Sequence, residues 1–257
     1  MPKIDKEQKF FDFSDYGRGP AVFFSNLLKN TSISPIQFTY GFGIVGLLSA
    51  YAILWEYYWV AGLGLILKSI IDAMDGELAR IKDSPSYSGR YLDSIFDSLL
   101  NLILIMIISF KSNNPYWLGF ISYLCIQLQG TLYNYYYVIL RHRTNGGDTT
   151  SKIFENKAPS AFPIERQATV NVLYHTFRVL YLPFDWIIYK LDQEAFKIRQ
   201  IPNWYMSLIS IYGLGSQLMI MAIMLSMGFI RFIVPFFIAY TILGIFFVLI
   251  RKLYVKN

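Results

Sequence analysis

An all-α membrane domain of six spanning helices is the fold class this sequence predicts, on three observations. Apolar runs of spanning length recur along most of the chain. Charged residues make up 16% of the composition, against about 25% in soluble domains. The charges that remain gather at the ends of the apolar runs, where they suit a membrane surface.

A spanning helix needs about 20 mostly apolar residues. Six stretches qualify: Pro35–Trp55, Tyr58–Ile81, Gly89–Phe110, Pro115–Leu140, Trp204–Phe229 and Phe232–Tyr254. Ahead of them, Lys9–Lys29 mixes Phe10, Phe11, Phe13, Phe23, Phe24, Leu27 and Leu28 with charges. That is the pattern of an interfacial amphipathic helix, starting near Gly19-Pro20. Met1–Asp15 is polar and charged, so no cleavable signal peptide is expected and the first span would direct insertion. The polar stretch 141–202 opens with Asn145-Gly146-Gly147-Asp148, a loop signal. Within it, Val172–Leu191 is amphipathic and aromatic but contains Pro183 and Asp185. It reads as an in-plane or re-entrant element rather than a seventh span. The chain is therefore one membrane domain over 1–257. Residues 1–33 form the amphipathic segment, 34–110 helices one to three, and 115–254 helices four to six with 141–202 inserted.

The net charge of +6 follows a membrane pattern rather than a nucleic-acid patch. With the N-terminus inside, Lys3, Lys6, Lys9, Arg18, Lys29, Arg80, Lys82 and Arg90 all fall inside. So do Arg141, Arg143, Lys152, Lys157, Arg166, Arg178, Lys190, Lys197, Arg199, Arg251, Lys252 and Lys256, whereas the outside loops hold only Lys111 and Arg231. This asymmetry places both termini in the cytoplasm. A single cysteine, Cys125, excludes an intrachain disulfide and a cysteine-based zinc site. Two histidines, His142 and His175, exclude a multi-histidine metal site.

The second and third spans hold the chemistry. Asp72, Asp75, Asp93 and Asp97 lie at the ends of otherwise apolar helices, where an ionisable group usually faces the bundle interior and serves a site. At about 100° per residue, Asp72, Asp75, Gly76 and Ala79 share one helix face, and Gly89, Asp93 and Asp97 share another. The short Ile81–Ser88 connection, with Ser84-Pro85 as its turn, makes the helices antiparallel neighbours. Four clustered carboxylates repel and take up protons unless a cation joins them. Mg²⁺ or Mn²⁺, as one or two ions, suits oxygen ligands and substrate phosphates. Gly76 and Ala79 let a nucleotide approach the backbone, or serve close helix packing.

The run Asp72-x2-Asp75-Gly76-x2-Ala79-Arg80-x8-Gly89-x3-Asp93-x3-Asp97 resembles the signature of the CDP-alcohol phosphatidyltransferases, every fixed position being matched. Ser34-Pro35-Ile36-Gln37-Phe38-Thr39 is similar to that family's opening segment, with Ile36 where asparagine is usual and Thr39 retained. The resemblance implies that Asp72, Asp75, Asp93 and Asp97 hold metal and that Asp97 is the general base. Asp72, Gly76, Ala79, Arg80, Gly89 and Thr39 would bind the cytidine diphosphate. It implies transfer of a phosphatidyl group from CDP-diacylglycerol to a small alcohol with release of CMP. The nearest rival takes CDP-choline or CDP-ethanolamine and acts on diacylglycerol. A homodimer in a prokaryotic cytoplasmic membrane, active at its cytoplasmic face, is expected on the same ground.

Arg90, Arg141, Arg143 and Arg178 are candidate contacts to a phosphorylated acceptor, each also readable as an interfacial anchor. Lys68 lies one turn before Asp72 inside an apolar run and is expected to pair with Asp72 or with Glu77 of a partner. Tyr133, Tyr135, Tyr136 and Tyr137 read as an interfacial aromatic belt. A cation- or proton-coupled transporter is the rival of another class. It predicts broken helices or a repeat pair, and neither is visible in the sequence.

Overall fold

The computed structural model describes residues 10–144, 154–198 and 200–255, with the side chains of 143 and 144 excepted. Lys3, Lys6, Lys9, the 145–148 loop, Lys152, Arg199, Lys256 and the side chain of Arg143 lie outside the described residues. The helices are α1 (Arg18–Leu28), α2 (Pro35–Leu54), α3 (Tyr58–Ile81), α4 (Tyr87–Lys111), α5 (Tyr116–Thr144), α6 (Gln167–Leu191), α7 (Asn203–Ile209), α8 (Leu214–Ser226), α9 (Ile230–Tyr240) and α10 (Ile242–Tyr254). No strand occurs among the described residues.

On length and composition, Pro35–Leu54, Tyr87–Lys111 and Ile230–Tyr254 can cross a membrane. A fourth is added if Asn203–Tyr212 and Leu214–Ser226, bent by 49°, count as one span. Six were expected. The second and fourth expected spans are long helices, α3 and α5, but fall short of that standard; α3 carries Lys68, Asp72, Asp75, Glu77 and Arg80.

Local signals explain most helix starts. Ser34 and Gln37 form a reciprocal capping box with Pro35 in the first turn of α2. Pro20 sits near the start of α1, which buries Ala21 and Ser25 against α3 and exposes Phe23, Phe24 and Leu27. The helix is therefore amphipathic, as its sequence suggests. The chain just ahead of it is not loose on a surface. Phe11 and Phe13 donate backbone hydrogen bonds to Ser207 and Ser210 hydroxyls, both at 3.0 Å.

The core sits among α2, α3, α4, α5, α8 and α9, around Ile53, Leu65, Leu104, Ile108, Leu218, Ile233 and Phe237. At Gly62 a Cβ would come within 2.9 Å of the Ala222 carbonyl oxygen, so glycine sets how closely α3 approaches α8. The unbroken fifth span read from sequence is corrected: it stops at Ile209, turns through Ser210–Tyr212 and resumes at Leu214. A Cβ at Gly213 would strike the Ser14 side chain, so the break accommodates the N-terminal segment. Pro235 sits inside α9, and the last span divides at Thr241.

The tyrosine belt is also corrected. Tyr135, Tyr136 and Tyr137 are buried. Tyr133 donates to Asp12 Oδ2 at 2.6 Å, Tyr135 to the Asp192 carbonyl at 2.7 Å and Tyr136 to Asp192 Oδ2 at 2.6 Å. Aromatic rings with a polar tip suit a buried position once each hydroxyl has an acceptor. Arg251 Nε donates to the same Asp192 carboxylate at 2.5 Å, so α5, α6 and α10 meet on one buried ion pair.

Removing one member of a buried pair leaves the other charge uncompensated, at a cost of about 3–5 kcal/mol. Asp192→Ala is therefore expected to lower the thermal midpoint markedly in detergent, and Asp192→Leu with Arg251→Met to recover part of it. An unchanged midpoint in the single variant would show that the pair does not hold these helices.

Candidate active site

Two helix segments build the site, the C-terminal half of α3 and the N-terminal half of α4. Residues 82–86 join them, with Asp83 at φ 46°. The turn closes through Lys82 N to Leu78 O at 2.9 Å and Ser84 N to Ala79 O at 3.0 Å. Lys82 Nζ also donates to the carbonyls of Thr31, at 2.7 Å, and Ile33, at 2.6 Å, which ties the turn to the α1–α2 connection.

The start of α4 is capped twice. Ser86 Oγ accepts from Gly89 N at 2.8 Å, the local cap that its position before the helix predicts. Glu165, from the distant polar segment, accepts from Ser86 Oγ at 2.8 Å, Ser88 N at 2.7 Å and Tyr87 N at 3.2 Å. A carboxylate on the free N–H groups of a first turn satisfies them and meets the positive end of the helix dipole. Burial works against the Glu165 charge, but hydrogen bonds from the Ser88 backbone and the Ser86 side chain outweigh it and hold the pKa below the ordinary 4.5.

On this frame, carboxylate oxygens of Asp72, Asp93 and Asp97 come within 4.8 Å of one another. Asp93 Oδ1 is buried with no hydrogen-bond partner among the described residues. A buried, unpartnered carboxylate oxygen is costly, and beside two more carboxylates it is a vacant ligand atom. Hard oxygen donors at this spacing fit a divalent ion such as Mg²⁺ or Mn²⁺. Asp75 is not one of these three and accepts a hydrogen bond from the buried Thr39 hydroxyl on α2.

Lys68 is 1% exposed and forms an ion pair with Asp97. Its Nζ is also 3.9 Å from Asp72 Oδ2 and 4.8 Å from the ring centroid of Phe42. The pairing with Asp72 matches one expectation. The pairing with Asp97, across 29 residues, was not legible, because it depends on how α4 lies against α3.

Gly76 is exposed. A Cβ there would meet only the Arg80 guanidinium, at 3.5 Å, so its backbone borders open space and is not a helix-packing contact. At Gly89 a Cβ would come 3.1 Å from Ser86 Oγ, which links that glycine to the cap. Arg80 pairs with Glu77, and its Nε is buried with no hydrogen-bond partner among the described residues.

The four acceptor candidates separate. Arg90 gives Nη2 to both Glu155 oxygens, at 2.6 and 2.8 Å, and Tyr91 donates to the same carboxylate. Arg141 lies 5.8 Å from the Tyr137 ring centroid. Arg178 lines a shallow surface cavity of about 340 Å³ on α6 with His175, Val179, Leu182 and Pro183. Arg143 contributes no described side chain. Sequence reasoning missed Glu155, Glu165 and Tyr181, whose hydroxyl donates to Ser94 O at 2.8 Å. Nothing local marks them, since each acts on a helix 64 or more residues away.

A family model described as CDP-alcohol phosphatidyltransferase matches residues 33–189. The chain is also similar to a "Bifunctional IPC transferase and DIPP synthase" of Thermococcus kodakarensis, 34% identical over 86 residues. That match takes in 33% of this chain and about a fifth, 20%, of the length of that relative.

The lowered pKa of Glu165 stabilises the fold above the ordinary value of 4.5 and ceases to do so as pH falls through the folded value. Glu165→Gln is expected to cost about 0.3–1 kcal/mol at neutral pH, the range for a charge at a helix N-terminus. Thermal midpoints of variant and parent should converge below pH 4.5. A gap that persists in acid would assign the effect to something other than the charge.

Proposed function

This chain belongs to the CDP-alcohol phosphatidyltransferase family, and from that premise we propose that it transfers a phosphatidyl group from CDP-diacylglycerol to an alcohol, releasing CMP. The observation that carries this reading is the convergence of Asp72, Asp93 and Asp97 from two helices, with a buried vacant oxygen on Asp93. The name of the Thermococcus relative, a transferase and synthase, supports group-transfer chemistry.

Asp72, Asp93 and Asp97 would hold Mg²⁺ or Mn²⁺, with Asp75 fixed by Thr39 at the edge of the set. The ion supplies charge neutralisation on phosphate oxygens. The remaining steps belong to the chain. Gly76 and Ala79 admit the cytidine diphosphate against the α3 backbone, and Arg80 offers its guanidinium to phosphate. Asp97 takes the proton of the acceptor hydroxyl. The oxygen so freed attacks the phosphorus that bears the diacylglycerol, the bond from that phosphorus to the CMP oxygen breaks, and CMP leaves. A base must lie within hydrogen-bond reach of the hydroxyl, and Asp97 lies on the α4 face that meets α3.

The membrane arrangement that goes with this reading has six spans: α2, α3, α4, α5, the α7–α8 pair and the α9–α10 pair. Helix α6 would then lie along the inner surface. Supporting this, Tyr174 packs on Tyr91 near the start of α4, while Asp192, just past α6, meets Tyr136 near the end of α5. These are the same end of an antiparallel hairpin, so α6 crosses that end. Arg80, Lys82, Arg90, Arg141 and Arg251 gather there, which suits the cytoplasmic leaflet.

The test is purification in detergent and incubation with labelled CDP-diacylglycerol and, separately, CDP-choline or CDP-ethanolamine. Acceptors are glycerol 3-phosphate, inositol, inositol phosphate, serine, choline and diacylglycerol, and CMP is followed. Release of CMP only from CDP-diacylglycerol is expected; release from none would overturn the reading. Asp97→Asn is expected to lower the rate about 10²–10⁴-fold, the usual contribution of a general base, with the protein still folded. EDTA should abolish turnover and Mg²⁺ or Mn²⁺ restore it; activity that survives chelation would exclude a metal-dependent mechanism.

A further inference from the structure

Tyr16 lies ahead of residues 33–189, the stretch that the family model matches, yet the fold carries it to the carboxylate site. Several helices fix the segment that holds it. Asp12 accepts from the Tyr133 hydroxyl of α5 at 2.6 Å and from Ser14 N at 2.9 Å. A Cβ at Gly215 would strike the Ser14 carbonyl oxygen, so α8 leaves room for the chain to pass. A Cβ at Gly17 would come within 3.2 Å of Ser69 O and of Ile70 Cα. Glycine there lets the segment lie directly on α3.

The Tyr16 hydroxyl is buried with no hydrogen-bond partner among the described residues. Burial raises its pKa above the ordinary 10.0, the Ser69 side chain and the Lys68 charge lower it, and the Asp72 charge raises it. It is thus a protonated donor beside Ser69, Lys68 and Asp72. A buried donor left unsatisfied is costly, and an arriving ligand oxygen would satisfy it.

Position along α3 distinguishes the possible ligands. Gly76, on the proposed nucleotide side, is about one turn from Asp72 toward the α3–α4 connection; Lys68 and Ser69 are about one turn from it the other way. In phosphoryl transfer the attacking and leaving oxygens lie roughly in line across the phosphorus. With CMP on the Gly76 side, the incoming oxygen arrives on the side of Lys68 and Ser69. Lys68 pairs there with Asp97, the proposed base. Tyr16 therefore stands on the acceptor side of the site.

We propose that the Tyr16 hydroxyl donates a hydrogen bond to the acceptor alcohol and selects a polyol, one with a second hydroxyl on the carbon beside the reacting one. This inference rests on the phosphatidyl-transfer reading above. The reacting hydroxyl gives its proton to Asp97 and a lone pair to phosphorus. The neighbouring hydroxyl oxygen keeps a lone pair for Tyr16. Choline and ethanolamine carry an ammonium group at that place, which accepts no hydrogen bond and brings a positive charge toward Lys68. A site built to hydrogen-bond a substrate hydroxyl rejects analogues that lack it.

The experiment uses the purified full chain in detergent with CDP-diacylglycerol as donor, and follows CMP. Glycerol 3-phosphate, inositol, inositol phosphate, serine, choline and ethanolamine are supplied as separate acceptors. Wild type is expected to turn over polyols alone. Tyr16→Phe removes only the hydroxyl. It is expected to raise KM for the polyol about 3- to 10-fold, the share of one hydrogen bond, and to leave KM for CDP-diacylglycerol unchanged. Its thermal midpoint is expected not to fall, because the hydroxyl has no protein partner to lose. A variant that unfolds or melts markedly lower would show that the hydroxyl holds the fold, and would overturn the proposal. An unchanged KM for the polyol, or a raised KM for CDP-diacylglycerol, would overturn it too. Turnover of serine, choline or ethanolamine without any polyol would overturn it and leave phosphatidyl transfer standing. No CMP from wild type with any acceptor would overturn both.

Discussion

Like charges crowded in a low-dielectric interior must be neutralised, and the architecture of this protein answers that constraint. Two unit charges 4 Å apart interact by about 4 kcal/mol at the effective dielectric of a protein surface. Asp72, Asp93 and Asp97 approach one another to about this distance. The chain answers with Lys68 from within α3 and with the geometry of a cation site. Neither answer works unless α3 and α4 are held in a fixed register.

Several elements far apart in the chain supply that register. Helix α2 contributes Thr39 to Asp75 and Phe42 to Lys68. Lys82 ties the α3–α4 turn to the backbone before α2. The segment from Phe154 to Arg166 reaches back to the start of α4 with two carboxylates, Glu155 on Arg90 and Glu165 on the first-turn N–H groups. Asp93 and Asp97 lie one and two turns further along α4. A clamp on the first turn therefore fixes the rotation that aims them at Asp72.

The clamp also changes what the arginines near the site do. Arg90 is engaged by Glu155 and stacked at 4.5 Å from the Tyr91 ring centroid, which makes it part of the scaffold. The buried Asp192–Arg251 pair plays the same part at the far end of α6. Charged residues that composition alone assigns to a membrane surface are here used to join helices.

What the sequence determined by itself is what repeats over a few residues: the apolar runs, and the spacing that puts Asp72 and Asp75 on one helix face and Asp93 and Asp97 on another. Helical periodicity and the cost of burying charge are local and residue-specific, so they can be read in order along the chain. The tertiary structure alone decided which cation meets Asp97, that Asp75 turns to Thr39, that the tyrosines after Leu132 face inward, and that the chain bends between α7 and α8 where Ser14 needs room. Glu165 reaches Ser88 across 77 residues. A contact of that kind has no periodicity and no fixed spacing, because it exists only once the helices have packed.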